Sequence, residues 1–175
     1  MKLTIHTMPS PLGDLLLVAD EEGALRALEY ADGEERLHRL LRRRLGHETE
    51  LVPGALPQEQ ALTRYFAGEI AAIDTLPVAM GGTTFQNQAW AALREIPAGS
   101  PATYGGQARR IGHPTAARAV GSANHNNPIN IVVPCHRIIG GNGALTGYAG
   151  GLERKRWLLD HEARHADPVA AQRLL

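Results

Sequence analysis

Thr103-Tyr104-Gly105-Gly106-Gln107-Ala108-Arg109-Arg110-Ile111-Gly112-His113-Pro114-Thr115-Ala116-Ala117-Arg118-Ala119-Val120-Gly121-Ser122-Ala123-Asn124-His125 is the stretch whose reading settles what kind of domain this chain builds. Thr103 is placed to cap a short helix over 105–111, because its hydroxyl can accept from a first-turn N–H. Gly112-His113-Pro114 makes a tight turn, and a second helix is expected over 115–125. Two short helices around a Gly-containing turn fit a helix-turn-helix, and equally an ordinary helical hairpin. The second helix carries almost only small side chains, so another backbone can approach it closely, and Arg118 is its one long charged residue. A reader of the major groove normally offers several polar side chains, whereas small residues with a single arginine suit a minor groove. The competing reading is a buried helix packed on its neighbours, with Arg118 at its edge.

Upstream, Thr83 and Gln86 have the spacing of a capping box. The helix they open has Phe85, Ala89, Leu93 and Ile96 on one face and stops at Pro97-Ala98-Gly99. Met80-Gly81-Gly82 before it reads as a linker. The N-terminal part is strand-rich at first: 3–8 alternates, 9–14 is a turn, and 15–19 and 24–30 form two strands joined through Asp20-Glu21-Glu22-Gly23. Leu37, Leu40, Leu41 and Leu45 mark a helix over 34–45 that Gly46 ends, and Pro57 opens another over 57–67. Arg42-Arg43-Arg44 reads as a solvated face rather than a phosphate patch. No chemistry is visible in this half. The fold class expected is therefore α+β. A small N-terminal α/β domain spans 1–80, a mostly helical domain with a helix-turn-helix spans 84–165, and 166–175 form a tail.

The totals bound the function. A chain of 175 residues makes one domain or two small ones. Net charge is zero, but residues 1–83 hold 8 basic against 13 acidic side chains and residues 84–164 hold 9 against 4. That asymmetry points the second half toward an anionic partner, or reflects only uneven solvated charge. No apolar run approaches a membrane span and the start lacks a secretory pattern, so a cytoplasmic protein is expected. Cys135 is the only cysteine, which excludes an internal disulfide and a cysteine-rich zinc site. The histidines show no metal-ligand spacing, so neither a catalytic metal nor a cofactor is expected. Trp90 and Trp157 read as core anchors.

A lone cysteine is either a small buried hydrophobe or a reactive thiol. Asn130-Ile131-Val132-Val133 reads as a buried strand running into Pro134-Cys135-His136. A histidine directly after the cysteine can lower its pKa or act as its base. Strand neighbours point to opposite faces, so the pair needs a bend or a bridging water. Downstream lie two glycine-rich loops, 140–143 and 147–151, and a helix from Leu152 to about 162. Glu162 on that helix is a candidate to orient His136.

The sequence resembles the O6-alkylguanine-DNA alkyltransferases (methylated-DNA–protein-cysteine methyltransferases). The motifs are Pro134-Cys135-His136-Arg137-Ile138-Ile139, Gly147-Tyr148-Ala149-Gly150-Gly151-Leu152 and Lys155-Arg156-Trp157-Leu158-Leu159-Asp160-His161-Glu162. Ala116-Ala117-Arg118-Ala119-Val120-Gly121 and Asn126-Asn127-Pro128 complete them. They fall in that family's order and spacing over roughly 84–162, while the N-terminal half fits only in length and pattern.

The resemblance implies a ribonuclease H-like N-terminal domain and single-use repair of O6-alkylguanine, with O4-alkylthymine left open. Cys135 would be the nucleophile, His136 its base through a water, Glu162 the partner of His136, and Tyr104 the proton source for the leaving guanine. Asn127 would tie the DNA-binding helix to the active-site loop. Arg118 would replace the flipped base, with Ala117, Thr115 and Tyr104 on the DNA. Ile138, Tyr148, Ala149 and Gly150 would form the substrate pocket. The implied partner is double-stranded DNA with alkylated bases, met by a monomer, with no membrane. Some members have serine at the position of Ala149, which leaves only a backbone N–H to reach O6. Gly105-Gly106 replaces a helix-favouring pair, at a cost of about 1 kcal/mol per glycine. A damage-sensing DNA-binding module without transfer and a cysteine hydrolase are the alternative readings.

Overall fold

The computed structural model describes residues 1–166. The chain forms two compact units: Met1–Gly82 together with Pro128–Val132, and Thr83–Asn127 together with the chain from Val133 onward. The five residues Pro128–Val132, which the sequence reading left inside the second domain, belong by their contacts to the first.

In the first unit β1 (Lys2–Met8), β2 (Leu15–Ala19) and β3 (Leu25–Tyr30) form an antiparallel meander. α1 (Glu34–Leu45) then carries the chain to β4 (Glu50–Pro53), which pairs parallel with β1, giving the order β3-β2-β1-β4. β4 went unrecognised in the sequence because it has four residues and two of them are exposed. Leu37 and Leu41 of α1 pack with Leu3, Leu16, Val18 and Ala27 of the sheet. Every residue of β2 is buried, so both of its faces are covered. α2 (Gln58–Phe66) follows Pro57.

Pro128–Val132 meets β3 rather than forming the strand expected over 130–133. Leu28 N donates to Pro128 O at 2.9 Å, and Asn130 N donates back to Leu28 O at 3.0 Å. A single bridge, Leu28 with Ile129, is all the ladder there is, because Ile131 takes a φ of 71°. That left-handed backbone is costly for a β-branched residue and breaks any strand. Ile129 and Ile131 are fully buried, which offsets the strain.

The second unit is mostly helical. α3 (Thr84–Arg94) opens on the capping box, with both the Thr83 side-chain bond and the Gln86 return bond present. α4 (Tyr104–Arg110) and α5 (Ala117–His125) are the helix pair around the Gly112 turn. Thr103 accepts from Gly106 N. At the other end Gly112 N reaches Arg109 O at 3.1 Å and His113 N reaches Ala108 O at 3.0 Å. This double closure needs a left-handed residue, and Gly112 supplies it with φ 78°. α5 starts two residues later than the sequence suggested, since Thr115 and Ala116 stay in the turn. The side-chain amides of Gln107 and Asn124 bond reciprocally at 2.9 and 2.8 Å, and Trp90 donates to Ala123 O at 2.8 Å. Trp90 is thus a buried anchor, while Trp157 is half-buried and stacks on His161.

The glycine pair opening α4 separates into two cases. A Cβ at Gly105 would meet the far end of Arg109 at 3.4 Å and stay 4.0 Å from the Thr103 hydroxyl, whereas one at Gly106 would crowd that capping oxygen at 3.3 Å. Gly105→Ala is therefore expected to stabilise the protein by about 0.5–1 kcal/mol, and Gly106→Ala to give no such gain. Thermal unfolding of the two variants checks this; equal gains would show that the Thr103 cap is not constraining.

α6 (Leu152–His165) closes the described chain. Of the tail expected over 166–175, residues 167–175 lie outside the described residues. No helix among the described residues is long and apolar enough to cross a membrane.

Candidate active site

Cys135 lies on a short 3-10 turn, Cys135–Arg137, that follows Pro134. Cys135 N bonds back to Val133 O at 2.9 Å and Arg137 N to Pro134 O at 3.0 Å. This is the bend that an extended chain would have lacked, and it removes the strand alternation between Cys135 and His136. The chain then enters β6 (Ile138–Ile139), which pairs parallel with β5 (Ala102–Thr103). Thr103 ends β5 and caps α4, so this two-residue ladder ties Tyr104 to the segment that carries the cysteine.

A cavity of about 430 Å³ is lined by Tyr104, Gly121, Asn124, His125, Cys135, Gly140, Thr146, Gly147, Tyr148 and Ala149. Its volume suits a planar heterocycle of nucleobase size. Cys135 is buried but reaches this wall.

Behind it lies a fully buried polar cluster. His136 Nε2 is 2.9 Å from Glu162 Oε2. Arg137 donates Nε to Glu162 Oε1 at 2.8 Å and Nη2 to Oε2 at 2.9 Å, and its Nη1 donates to Ile96 O at 2.8 Å. Burial alone would raise the Glu162 carboxyl, but the hydrogen bonds from His136 and Arg137 and the Arg137 charge outweigh it and hold the group well below the usual carboxylate range. Burial likewise dominates at His136, lowering its pKa against the pull of Glu162, with the charges of Arg137 and Lys155 adding to the effect. His136 is therefore neutral at pH 7, and the charge that keeps Glu162 ionised is the bidentate guanidinium of Arg137. An ionised carboxylate only accepts, so the proton of the neutral ring sits on Nε2 and Nδ1 carries the lone pair. Nδ1 is buried and has no hydrogen-bond partner among the described residues.

The other candidates fall into place as follows. Asn127 Nδ2 donates to Val133 O at 2.7 Å, joining the second residue after α5 to the residue two before the cysteine. Tyr104 and Tyr148 line the cavity, and the Tyr148 ring stands edge-on to His136 with centroids 6.4 Å apart. Ala149 also lines it. Ile138 is buried on β6, and Gly150 accepts from Arg154 at 3.2 Å; neither lines the cavity. Thr115 and Arg118 are exposed and Ala117 half-buried, at the N-terminal end of α5. Gly121, Asn124 and His125 of the same helix reach the cavity, so α5 connects an exposed arginine to the pocket. No group of three or more His, Cys, Asp or Glu suited to a metal ion occurs among the described residues.

Sequence reasoning assigned no task to Arg137, Lys155 or Thr146. Arg137 had a signal: a carboxylate buried beside a neutral histidine requires a cation, and Arg137 is the nearest in sequence. Lys155 is fully buried and donates to Thr146 O at 2.6 Å and Gly147 O at 3.2 Å. Burial lowers its pKa, and the nearby Cys135 raises it. Nothing in the sequence marks a helical lysine as buried.

Residues 84–164 match the family described as 6-O-methylguanine DNA methyltransferase, DNA binding domain, and residues 3–80 match its ribonuclease-like domain. The chain is 50% identical over 167 residues to the methylated-DNA–protein-cysteine methyltransferase of Salmonella typhimurium, covering 93% of this chain and 96% of that one. The protein of that name from Methanosarcina acetivorans is 46% identical, covering 87% and 94%. Among solved structures, Mycobacterium tuberculosis OGT in complex with DNA superposes with a TM-score of 0.78 at 40% identity, covering 97% of this chain and 99% of that one.

Proposed function

The chain belongs to the 6-O-methylguanine DNA methyltransferase family, and from that membership and the pocket we infer that it repairs DNA by direct reversal, moving the alkyl group of O6-alkylguanine in duplex DNA onto Sγ of Cys135. The observation that carries the chemistry is the unpartnered lone pair of His136 Nδ1 behind a buried thiol. A bridging water relays the thiol proton to Nδ1, and Glu162 holds the ring in the tautomer that leaves Nδ1 basic. The thiolate attacks the alkyl carbon. The S–C bond forms as the C–O6 bond breaks, and the electron pair leaves with the guanine. Tyr104 gives the guanine its proton and recovers one from the imidazolium through solvent. The product is a thioether with no group that water can displace, so each molecule acts once.

A stacked base cannot reach a buried sulfur, so the nucleotide is flipped into the cavity. α5 approaches the minor groove, with Thr115 and Ala117 beside the backbone and Arg118 in the space the base leaves. Ala149 offers O6 only its main-chain N–H. The reading places the protein in the cytoplasm, where a lone thiol stays reduced.

Intact-protein mass spectrometry after mixing with duplex DNA holding one O6-methylguanine tests the function. A gain of one methyl, mapped to Cys135 and saturating at one per molecule, is expected. No gain with reduced Cys135 and demonstrable binding would mean a damage sensor. Arg118→Ala is expected to slow repair in duplex at least tenfold while leaving attack on the free modified base within about twofold; equal slowing on both would remove the finger role.

A further inference from the structure

Thr146 forms part of the pocket wall, Lys155 bonds to the segment that carries it, and neither has a task in the mechanism above. The segment from Gly140 to Gly151 contains six glycines, a backbone that does not hold a fixed course by itself. Thr146 stands in it, exposed, yet is held from two sides. The Lys155 ammonium, fully buried, donates to the Thr146 carbonyl at 2.6 Å and to that of Gly147 at 3.2 Å. The Thr146 hydroxyl lies 3.2 Å from the hydroxyl of Tyr104, and both residues line the cavity. On its other side the Tyr104 ring lies over Gly121 of α5, where even a Cβ would only touch it, at 3.7 Å. At Gly121 the helix therefore leaves the ring uncrowded, and the Thr146 hydroxyl is the hydrogen-bond partner of its oxygen.

We propose that Thr146 is the positioning residue for Tyr104, and that Lys155 tethers the strap on which Thr146 is carried. This rests on the reading that Tyr104 supplies the proton to the leaving guanine. A phenol has one proton to give. When that proton turns toward the guanine, the Thr146 hydroxyl becomes the donor to the Tyr104 oxygen and stabilises the negative charge that builds there as the proton leaves. The bond thus strengthens as the reaction proceeds, so it acts on the transfer rate and not on DNA affinity.

Thr146→Val removes the hydroxyl and nearly keeps the shape, at an exposed position where folding is not at stake. Single-turnover transfer from duplex O6-methylguanine at saturating protein is expected to fall about tenfold, the loss of one charge-assisted hydrogen bond. DNA affinity, measured by anisotropy with the same duplex, is expected to change less than twofold. Thr146→Ser is expected to recover most of the rate. In a Tyr104→Phe background Thr146→Val is expected to have no further effect. Lys155→Met unties the strap; it is expected to slow transfer by a similar factor and to make Thr146→Val silent. The proposal fails if Thr146→Val keeps the parental rate while Tyr104→Phe is slow, if Thr146→Ser is as slow as Thr146→Val, or if the Val and Phe effects multiply. A Lys155→Met protein that stays sensitive to Thr146→Val overturns the tether. Parental transfer by Tyr104→Phe overturns the proton-donor reading itself, and this proposal with it.

Discussion

In Cys135→Ala, alkyl transfer is expected to vanish while binding to alkylated duplex stays within about twofold of the parent, because the substitution removes the acceptor, trims the pocket wall by one sulfur atom and leaves the exposed end of α5 untouched. Cys135 lines the cavity, so deleting its sulfur leaves a small gap and not a collapsed core; the fold should lose only about 1 kcal/mol. Cys135→Ser is the sharper variant. It keeps the volume and the position, yet an alkanol is far harder to deprotonate than a thiol of pKa about 8.5, so no alkoxide accumulates at pH 7 to stand in for the thiolate as nucleophile toward an alkyl carbon. Both variants should bind and neither should transfer. Methyl appearing on any other residue of Cys135→Ala would relocate the nucleophile. Lost binding would make the cysteine part of the DNA contact and undo the division of labour between α5 and the turn.

Glu162→Gln is expected to be the most damaging change to both stability and rate. The carboxylate accepts three bonds, one from His136 and two from Arg137. An amide offers a donor where a donor already points, and it leaves the buried guanidinium without a counter-charge. Breaking a buried pair in this way costs about 3–5 kcal/mol. On protein kept cold enough to remain folded, transfer should slow by two orders of magnitude or more, since nothing then holds the His136 tautomer.

The pH dependence gives an independent reading of the same group. The Glu162 carboxyl is held below its ordinary 4.5, so its contribution to stability is complete above that pH and is lost as the pH falls toward the folded value. The difference in unfolding temperature between parent and Glu162→Gln should therefore be constant at neutral pH and close in acid. A gap that persists unchanged at pH 3 would show that charge is not what the pair contributes. For His136 the shift is also downward from 6.5, so the base stays unprotonated through pH 6.5 and transfer should not fall on the acid side until below it.

What the sequence disclosed and what it withheld divide on physical lines. α1 came out with the bounds read from its leucines, and the Thr83 capping box was legible because a cap is a local event decided by two residues. The candidate site residues could be picked out because chemistry narrows residue type, a thiol, an imidazole beside it and a carboxylate on a helix, and the structure pairs His136 with Glu162 and sets Cys135 in the cavity wall. The strand expected over 130–133 failed because Ile-Val-Val has the composition of a strand whatever its backbone does; the left-handed Ile131 is a consequence of tertiary burial and leaves no local signature. Arg137, Lys155 and Thr146 were missed for a related reason. Arg137 meets Glu162 and Thr146 meets Tyr104 across long stretches of chain, so the sequence could call for a cation beside Glu162 without naming the pairs, and for Lys155 it is burial that leaves no mark.

The excursion of Pro128–Val132 has a consequence for how the chain can be divided. By sequence the Gly81-Gly82 linker invites a cut into two modules. By contacts, five residues of the second belong with the first, and the Asn127–Val133 bond sits at the point where the chain departs and returns. A fragment starting at Thr83 would carry the Pro128–Val132 loop without the β3 it bonds to, close in sequence to Cys135, and a fragment ending at Gly82 would present an uncovered stretch of β3. Such halves are built as complements of each other, and a split version of this protein would regain activity only on reassembly.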